Sequence, residues 1–189
     1  MRIFINARTQ DAADSVAAAL SELDAQITRC CDDAAAESEE LSDYDIVIVS
    51  TPLRTEFGLN FLAEAHRRTR ASLICLAKTD IAEEVQNRVR FTGAFVLPRP
   101  FTKAALIQTV RMALLAGESI RRLEDENDRL SQKLSDSKLI NRAKCCLIQY
   151  LNLSEEQAQQ HIVKLSMDTR RTKREIAEDI LRTYGNTTS

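Results

Sequence analysis

Glycine and proline are scarce, at 4 and 3 of 189 residues. That scarcity argues against a disordered or low-complexity chain, and a 44% hydrophobic content is ample for ordered cores. The length suits one medium domain plus a smaller one. No apolar run approaches the roughly 20 residues of a membrane span. The start, Met1-Arg2-Ile3-Phe4-Ile5-Asn6, enters a strand directly and lacks the apolar stretch and cleavage site of a signal peptide. The cysteines form two adjacent pairs, Cys30-Cys31 and Cys145-Cys146, plus Cys75, and neither they nor His66 and His161 have zinc-ligand spacing. Reduced thiols in a cytoplasmic protein without a membrane partner are expected. No catalytic triad, phosphate-binding glycine loop or metal-ligand set is visible, so neither an enzyme nor a cofactor is expected.

The formal charge of -2 conceals an asymmetry. Residues 1–117 hold 13 Lys/Arg against 16 Asp/Glu, 118–137 hold 4 against 6, and 138–189 hold 9 against 6. A nucleic-acid contact, if there is one, belongs to the C-terminal third.

Over residues 1–117 short apolar runs alternate with helical patterns. Strands are predicted at Arg2–Asn6, Gln26–Cys30, Asp45–Val49, Ser72–Leu76 and Phe95–Leu97. Helices are predicted at Ala12–Leu23, Ala34–Leu41, Phe57–His66, Ile81–Val89 and Lys103–Leu115. The Asp45–Val49 run is almost continuously apolar, as a strand buried on both faces should be. The alternation predicts an α/β fold with a five-stranded parallel sheet covered on both sides.

This order resembles a response-regulator receiver domain, a flavodoxin-like fold. The resemblance stops at the chemistry. Where receivers carry an acidic pair after the first strand, this chain has Asn6-Ala7-Arg8; where they carry the phosphorylated Asp, it has Ser50. The hydroxyl-bearing switch position falls around Leu76-Ala77, and the Lys before Pro is Arg99, in Arg99-Pro100. Phosphoryl transfer needs carboxylates to hold Mg²⁺ and an Asp oxygen as nucleophile. A hydroxyl at Ser50 would need a base, and none flanks it. A pseudoreceiver without phosphorylation is expected, with a cis Arg99-Pro100 bond that is structural.

From Gly117 the pattern changes. Residues 118–137 form a charged, Pro-free segment with Ile120, Leu123, Asn127, Leu130 and Leu134 spaced alternately by three and four. With Ile120, Asn127 and Leu134 at position a, Leu123 and Leu130 fall at d, giving a short two-stranded coiled coil. An Asn at one a position favours a parallel, in-register homodimer. Ser137 and Asn141 come next, so the seam fades there. The alternative is a solitary amphipathic helix lying on its own domain.

Residues 138–185 read as three short helices, at about 137–150, 155–170 and 173–184, with Gly185 ending the last and Asn186–Ser189 frayed. Ser154 and Gln157 form a capping box before the second. Ile140, Ala143, Leu147 and Leu151 should point inward on the first helix. Ala158, Ile162 and Leu165 should do so on the second, and Ile176, Ala177, Ile180 and Leu181 on the third.

Arg142-Ala143-Lys144, Ser154-Glu155, Ala158, Met167, Arg170-Arg171 and Glu175-Ile176-Ala177 together resemble the ANTAR RNA-binding domain of bacterial transcription antiterminators. Cys145 stands where Gly is usual and Ser166 where Ala is common; both are small and are expected to serve packing. The whole layout resembles the amidase-operon type of antiterminator. The resemblance implies a dimer that recognises paired hairpins in leader mRNA and so prevents a terminator from forming. It also implies control through a ligand-sensing regulatory protein on the pseudoreceiver. Arg142, Lys144, Lys164, Arg170, Arg171, Lys173 and Arg174 would then meet phosphates or loop bases, since single-stranded loops offer more to read than A-form grooves. There is no tryptophan; Tyr150 either stacks on a base or closes the core edge. Two other readings stand beside this one: a DNA-binding transcription factor, and an interaction module whose basic strip docks an acidic partner.

Overall fold

The computed structural model describes residues 1–53 and 57–184, so the chain stop expected at Gly185 and the tail after it lie outside the described residues. The chain divides into two compact units, Met1–Arg122 and Leu123–Ser189.

In the first unit, five parallel strands stand in the order β2-β1-β3-β4-β5. They are β1 (Arg2–Ala7), β2 (Gln26–Cys30), β3 (Ile46–Ser50), β4 (Ser72–Lys78) and β5 (Phe95–Arg99), each in parallel register with its neighbour. This is the doubly wound order of the receiver resemblance, with its switch point between β1 and β3. All five residues of β3 are buried, the burial that its unbroken apolar run requires.

Side chains alternate across the sheet. On one face Ile3, Ile5, Ile46, Ile48, Ile74 and Leu76 pack against α1 (Gln10–Ala19) and the first turns of α5 (Lys103–Leu151), which supply Val16, Leu106, Ile107, Val110 and Ala113. On the other, Phe4, Val47, Val49, Leu73 and Cys75 meet Phe61, Leu62 and Ala65 of α3 (Leu59–Arg68) and Val85 and Val89 of α4 (Ala82–Val89). The short α2 (Asp33–Ser38) adds Ala36 to this second face and is capped by Asp32, whose side chain accepts from the Ala34 and Ala35 amides. The Arg99-Pro100 bond is cis, as is Thr51-Pro52.

Where the sequence predicts three successive helices, the structure runs one, α5, for 49 residues through Gly117. A glycine inside a helix costs about 1 kcal/mol relative to alanine but does not break it, and no proline follows. Its place there has a steric reason. A Cβ on Gly117 would lie 2.2 Å from Ser72 Oγ at the start of β4. That hydroxyl donates to the Ala113 carbonyl at 2.7 Å, tying the helix to the sheet.

In the second unit, the end of α5 is followed by α6 (Glu155–Thr169) and α7 (Lys173–Tyr184). Their core is Ala143 and Leu147 from α5, Ala158 and Ile162 from α6, and Ile176, Ala177 and Ile180 from α7. The expected capping box is present: the Gln157 amide donates to Ser154 Oγ at 3.2 Å, and the Ser154 amide to Gln157 Oε1 at 2.8 Å. A second one opens α7, with the Thr172 amide donating to Glu175 Oε2 at 2.7 Å and the Glu175 amide to Thr172 Oγ1 at 3.2 Å. Two inward assignments need correction. Leu151 is 42% exposed because the helix ends there and the chain turns at Asn152, whose φ is 53°. Cys145 is also exposed, so the smallness of its side chain does not serve the core.

Gly117→Ala should change stability little. The helix-propensity gain of about 1 kcal/mol is offset by losing the Ser72 hydroxyl's bond, also worth about 1 kcal/mol. In a Ser72→Ala background the same substitution should stabilise by about 1 kcal/mol. Urea unfolding of the four proteins measures this coupling, and strict additivity would rule out the steric explanation.

Candidate nucleic-acid interface

The carboxyl edge of the first unit's sheet is where α/β proteins hold ligands, and here its polar groups are turned inward. Ser50 and Thr51 are 3% and 1% exposed. Arg99, at the end of β5, reaches back across β4: its Nη1 donates to Ser50 Oγ at 3.1 Å, and its Nη2 to the Leu76 carbonyl at 3.1 Å and to the Thr51 carbonyl. Thr51 Oγ1 donates to the same Leu76 carbonyl at 2.9 Å. Burial lowers the Arg99 pKa and pushes the neighbouring Cys75 thiol up to about 11.

These residues do not fit the divalent cation of a receiver. A guanidinium brings positive charge to the edge, and Asn6, wholly buried, offers a carboxamide without a hydrogen-bond partner in place of a carboxylate. Among the described residues no group of three or more His, Cys, Asp or Glu could hold a metal. Among the described residues Ser50 Oγ is bonded to a cation and to no base that could draw off its proton.

In the second unit the seven basic candidates divide into three sets. Arg170, Arg171 and Lys173 are exposed around the turn between α6 and α7, and Lys164 is exposed on α6. Arg171 is anchored by Asp179 at 2.6 Å, which holds its pKa above the usual value. Arg174, half-buried, is held by Asp136 at 2.6 Å and Glu178 at 3.0 Å, and Asp136 raises its pKa most. These two guanidiniums fasten α7 to its surroundings. Lys144 is separate from this group, beside the start of α6, where its ammonium lies 3.1 Å from Glu155 and its side chain is 16% exposed. Arg142, on α5, is exposed and has no acidic partner among the described residues. Tyr150 stacks on Tyr184 with ring centroids 5.8 Å apart, closing the core edge.

The turn has one strained residue. Arg170 takes a left-handed conformation, φ 53° and ψ 33°, at the end of α6, a position that usually belongs to glycine. The next amide, of Arg171, donates to the Ser166 carbonyl at 3.2 Å, and the Ser166 hydroxyl donates to the Arg171 carbonyl at 2.6 Å. Ser166 therefore pins the turn instead of filling the core. Met167, 73% exposed, projects from the same turn. Its place in the motif was evident from sequence; its exposure was not, since a methionine near a helix end ordinarily reads as core.

The zipper positions are uncovered. Ile120, Leu123, Leu130 and Leu134 are 54%, 71%, 55% and 57% exposed, and Asn127 is exposed with them.

Residues 128–181 match the family model of the ANTAR domain. Over 152 residues the chain is 31% identical to the transcriptional regulatory protein PdtaR of Mycobacterium tuberculosis, a match covering 80% of this chain and 74% of that protein. Among solved structures, NtrX from Brucella abortus is similar at a TM-score of 0.58 and 22% identity, over 66% of this chain and 29% of that one. A CheY-like response regulator receiver domain protein from Methanospirillum hungatei JF-1 is similar at a TM-score of 0.54 and 18% identity, over 62% and 96%. The structural likenesses establish the receiver fold. No described helix is long and apolar enough to cross a membrane.

With Ser50 facing a guanidinium, incubation with acetyl phosphate and Mg²⁺ should leave the intact mass unchanged. A phosphoryl group found on Ser50 would show that the edge retains its chemistry.

Proposed function

This chain belongs to the ANTAR-domain transcriptional regulators, and from that premise we propose that it is an RNA-binding antiterminator. On this reading it acts in the cytoplasm without enzymatic chemistry, holding hairpins in a leader mRNA and so preventing a terminator from forming. Residues 138–185 form the RNA-binding domain, 118–137 a dimerising linker, and 1–117 a pseudoreceiver that responds to a bound regulatory protein and not to phosphate.

The observation that carries this reading is Arg170. A left-handed arginine costs about 1 kcal/mol or more, a cost glycine would avoid. Residues held in such conformations cluster at functional sites. Here the strained backbone presents a guanidinium at the turn between the exposed Met167, in the last turn of α6, and the exposed Lys173, at the start of α7, with Lys164 exposed earlier on α6. Three cations and an apolar tip suit a hairpin loop, in which phosphates and unstacked bases lie together. Arg142 extends the positive surface, whereas Arg171, Arg174 and Lys144 position the helices through their acidic partners.

Arg170→Gly should therefore raise the thermal midpoint while weakening binding to a two-hairpin RNA. It should also flatten the dependence of log K on log salt by about 0.7, one single-stranded phosphate contact. Circular dichroism and fluorescence anisotropy measure the two effects; undiminished affinity for hairpin RNA would refute the assignment. Duplex DNA of equal charge is the control, and equal binding to it would reduce the reading to nonspecific electrostatics. Asn127→Leu should stabilise the helix pair but loosen its choice of partner number, read by light scattering as species beyond the dimer. A clean dimer in that variant would deny Asn127 its role in register.

A further inference from the structure

The exposed line along α5 continues past the point where the heptads end. At 3.6 residues per turn, Leu123, Asn127, Leu130, Leu134, Ser137, Asn141, Cys145 and Ile148 fall within a band about 80° wide, with Leu151 at its margin. The rhythm of threes and fours breaks once, where two fours run in succession from Ser137 through Asn141 to Cys145. A four-residue insertion of this kind locally unwinds a coiled coil without ending it. Beyond the polar pair the band turns apolar again: Cys145 is exposed, and Ile148 and Leu151 are 37% and 42% exposed. Their neighbours Ala143 and Leu147 are 0% and 1% exposed in the unit's own core. The apolar band is thus a second face of the helix, separate from the one the three-helix core uses.

We propose that a second copy of this chain covers the band, so that the paired α5 helices remain in contact through Cys145, Ile148 and Leu151 and hold the two RNA-binding units together. This rests on the dimer reading above and extends it. A two-fold axis along the band brings each residue against itself, apolar on apolar and Asn127 on Asn127, which is the self-complementarity of a symmetric pair. Unbroken heptads would place Lys144 next to the axis, facing its counterpart. Its ammonium is instead folded onto Glu155 at 3.1 Å, which removes that like-charge clash. The segment from Ile120 to Leu134 is also short for a seam, at about two heptads where a sustained coiled coil has about three to four. A continued seam supplies the missing contact.

The test uses the full chain with Cys30, Cys31 and Cys146 replaced by alanine, leaving Cys145 and the wholly buried Cys75. Mild oxidation with copper phenanthroline should give a covalent dimer on a non-reducing gel, at a rate independent of protein concentration above the dimer Kd and abolished by Cys145→Ser. Independently, Ile148→Glu should raise the dimer Kd by about tenfold or more in sedimentation equilibrium, with helicity unchanged. A dimer that sediments intact, resists cross-linking at Cys145 and tolerates Ile148→Glu would overturn the extension and leave the zipper standing. A monomeric parent protein would overturn both.

Discussion

The chain depends on one helix meeting three different surroundings without a break. The first turns of α5 bury Leu106, Ile107, Val110 and Ala113 against the sheet, and its last turns bury Ala143 and Leu147 in the three-helix core. Between them the apolar side chains face solvent. A leucine left in water forgoes about 1.5–3 kcal/mol of burial, and several in line make a liability that a monomer has no physical reason to keep. Charged residues around them keep the segment soluble, and the backbone hydrogen bonds keep it helical. On the proposed reading, the stretch is a helix awaiting its counterpart. Gly117 permits this continuity because it lets the helix pass Ser72 closely instead of ending at the edge of the sheet.

At the sheet's carboxyl edge the fold has kept its frame and changed its charge. A receiver concentrates negative charge there and balances it with a metal ion; this chain places a guanidinium there instead, whose two terminal nitrogens donate to the Leu76 and Thr51 carbonyls and the Ser50 hydroxyl. The end of β3 and the strand β4 are thereby tied to one side chain at the end of β5. On the proposed reading, the unit is regulated without a phosphoryl group at this edge.

The sheet was legible because each strand carries its own short apolar run, and β3, buried on both faces, gave the clearest one. The three-helix core was legible for a similar reason: Ala143, Leu147, Ala158, Ile162, Ile176, Ala177 and Ile180 keep helical spacing, and Ser154 with Gln157 marks a start that short-range chemistry alone can define. The unbroken course of α5 was not legible. Gly117 and the sudden rise in charge look like a boundary, and only the approach of Ser72, 45 positions away in sequence, explains why the glycine belongs within a helix. The exposure of Cys145 and Leu151 was hidden in the same way. Helical spacing shows which residues share a face, but which face the core takes depends on neighbours distant in sequence. Among the basic residues the sequence could not separate solvent-facing cations from internal fasteners. Arg174 finds Asp136 on another helix, a pairing that no local pattern predicts.

That separation matters for how such a domain would choose its target. Of the 9 Lys and Arg in the last third, Lys144, Arg171, Arg174 and Arg182 are engaged with acids, and the positive surface that remains is sparse. Counterion release from a few phosphate contacts gives only weak affinity at physiological salt, roughly the 10⁻⁴ to 10⁻⁶ M of nonspecific binding. One copy would therefore hold an arbitrary stem loosely. Two copies on a common seam convert the second contact into an intramolecular event, at an effective concentration in the millimolar range for a short linkage. On the proposed reading, tight binding then requires two loops at the spacing the seam sets, so that discrimination would come from the geometry of the RNA more than from its charge. A modest net positive charge, unpromising in a single domain, favours selectivity in a pair.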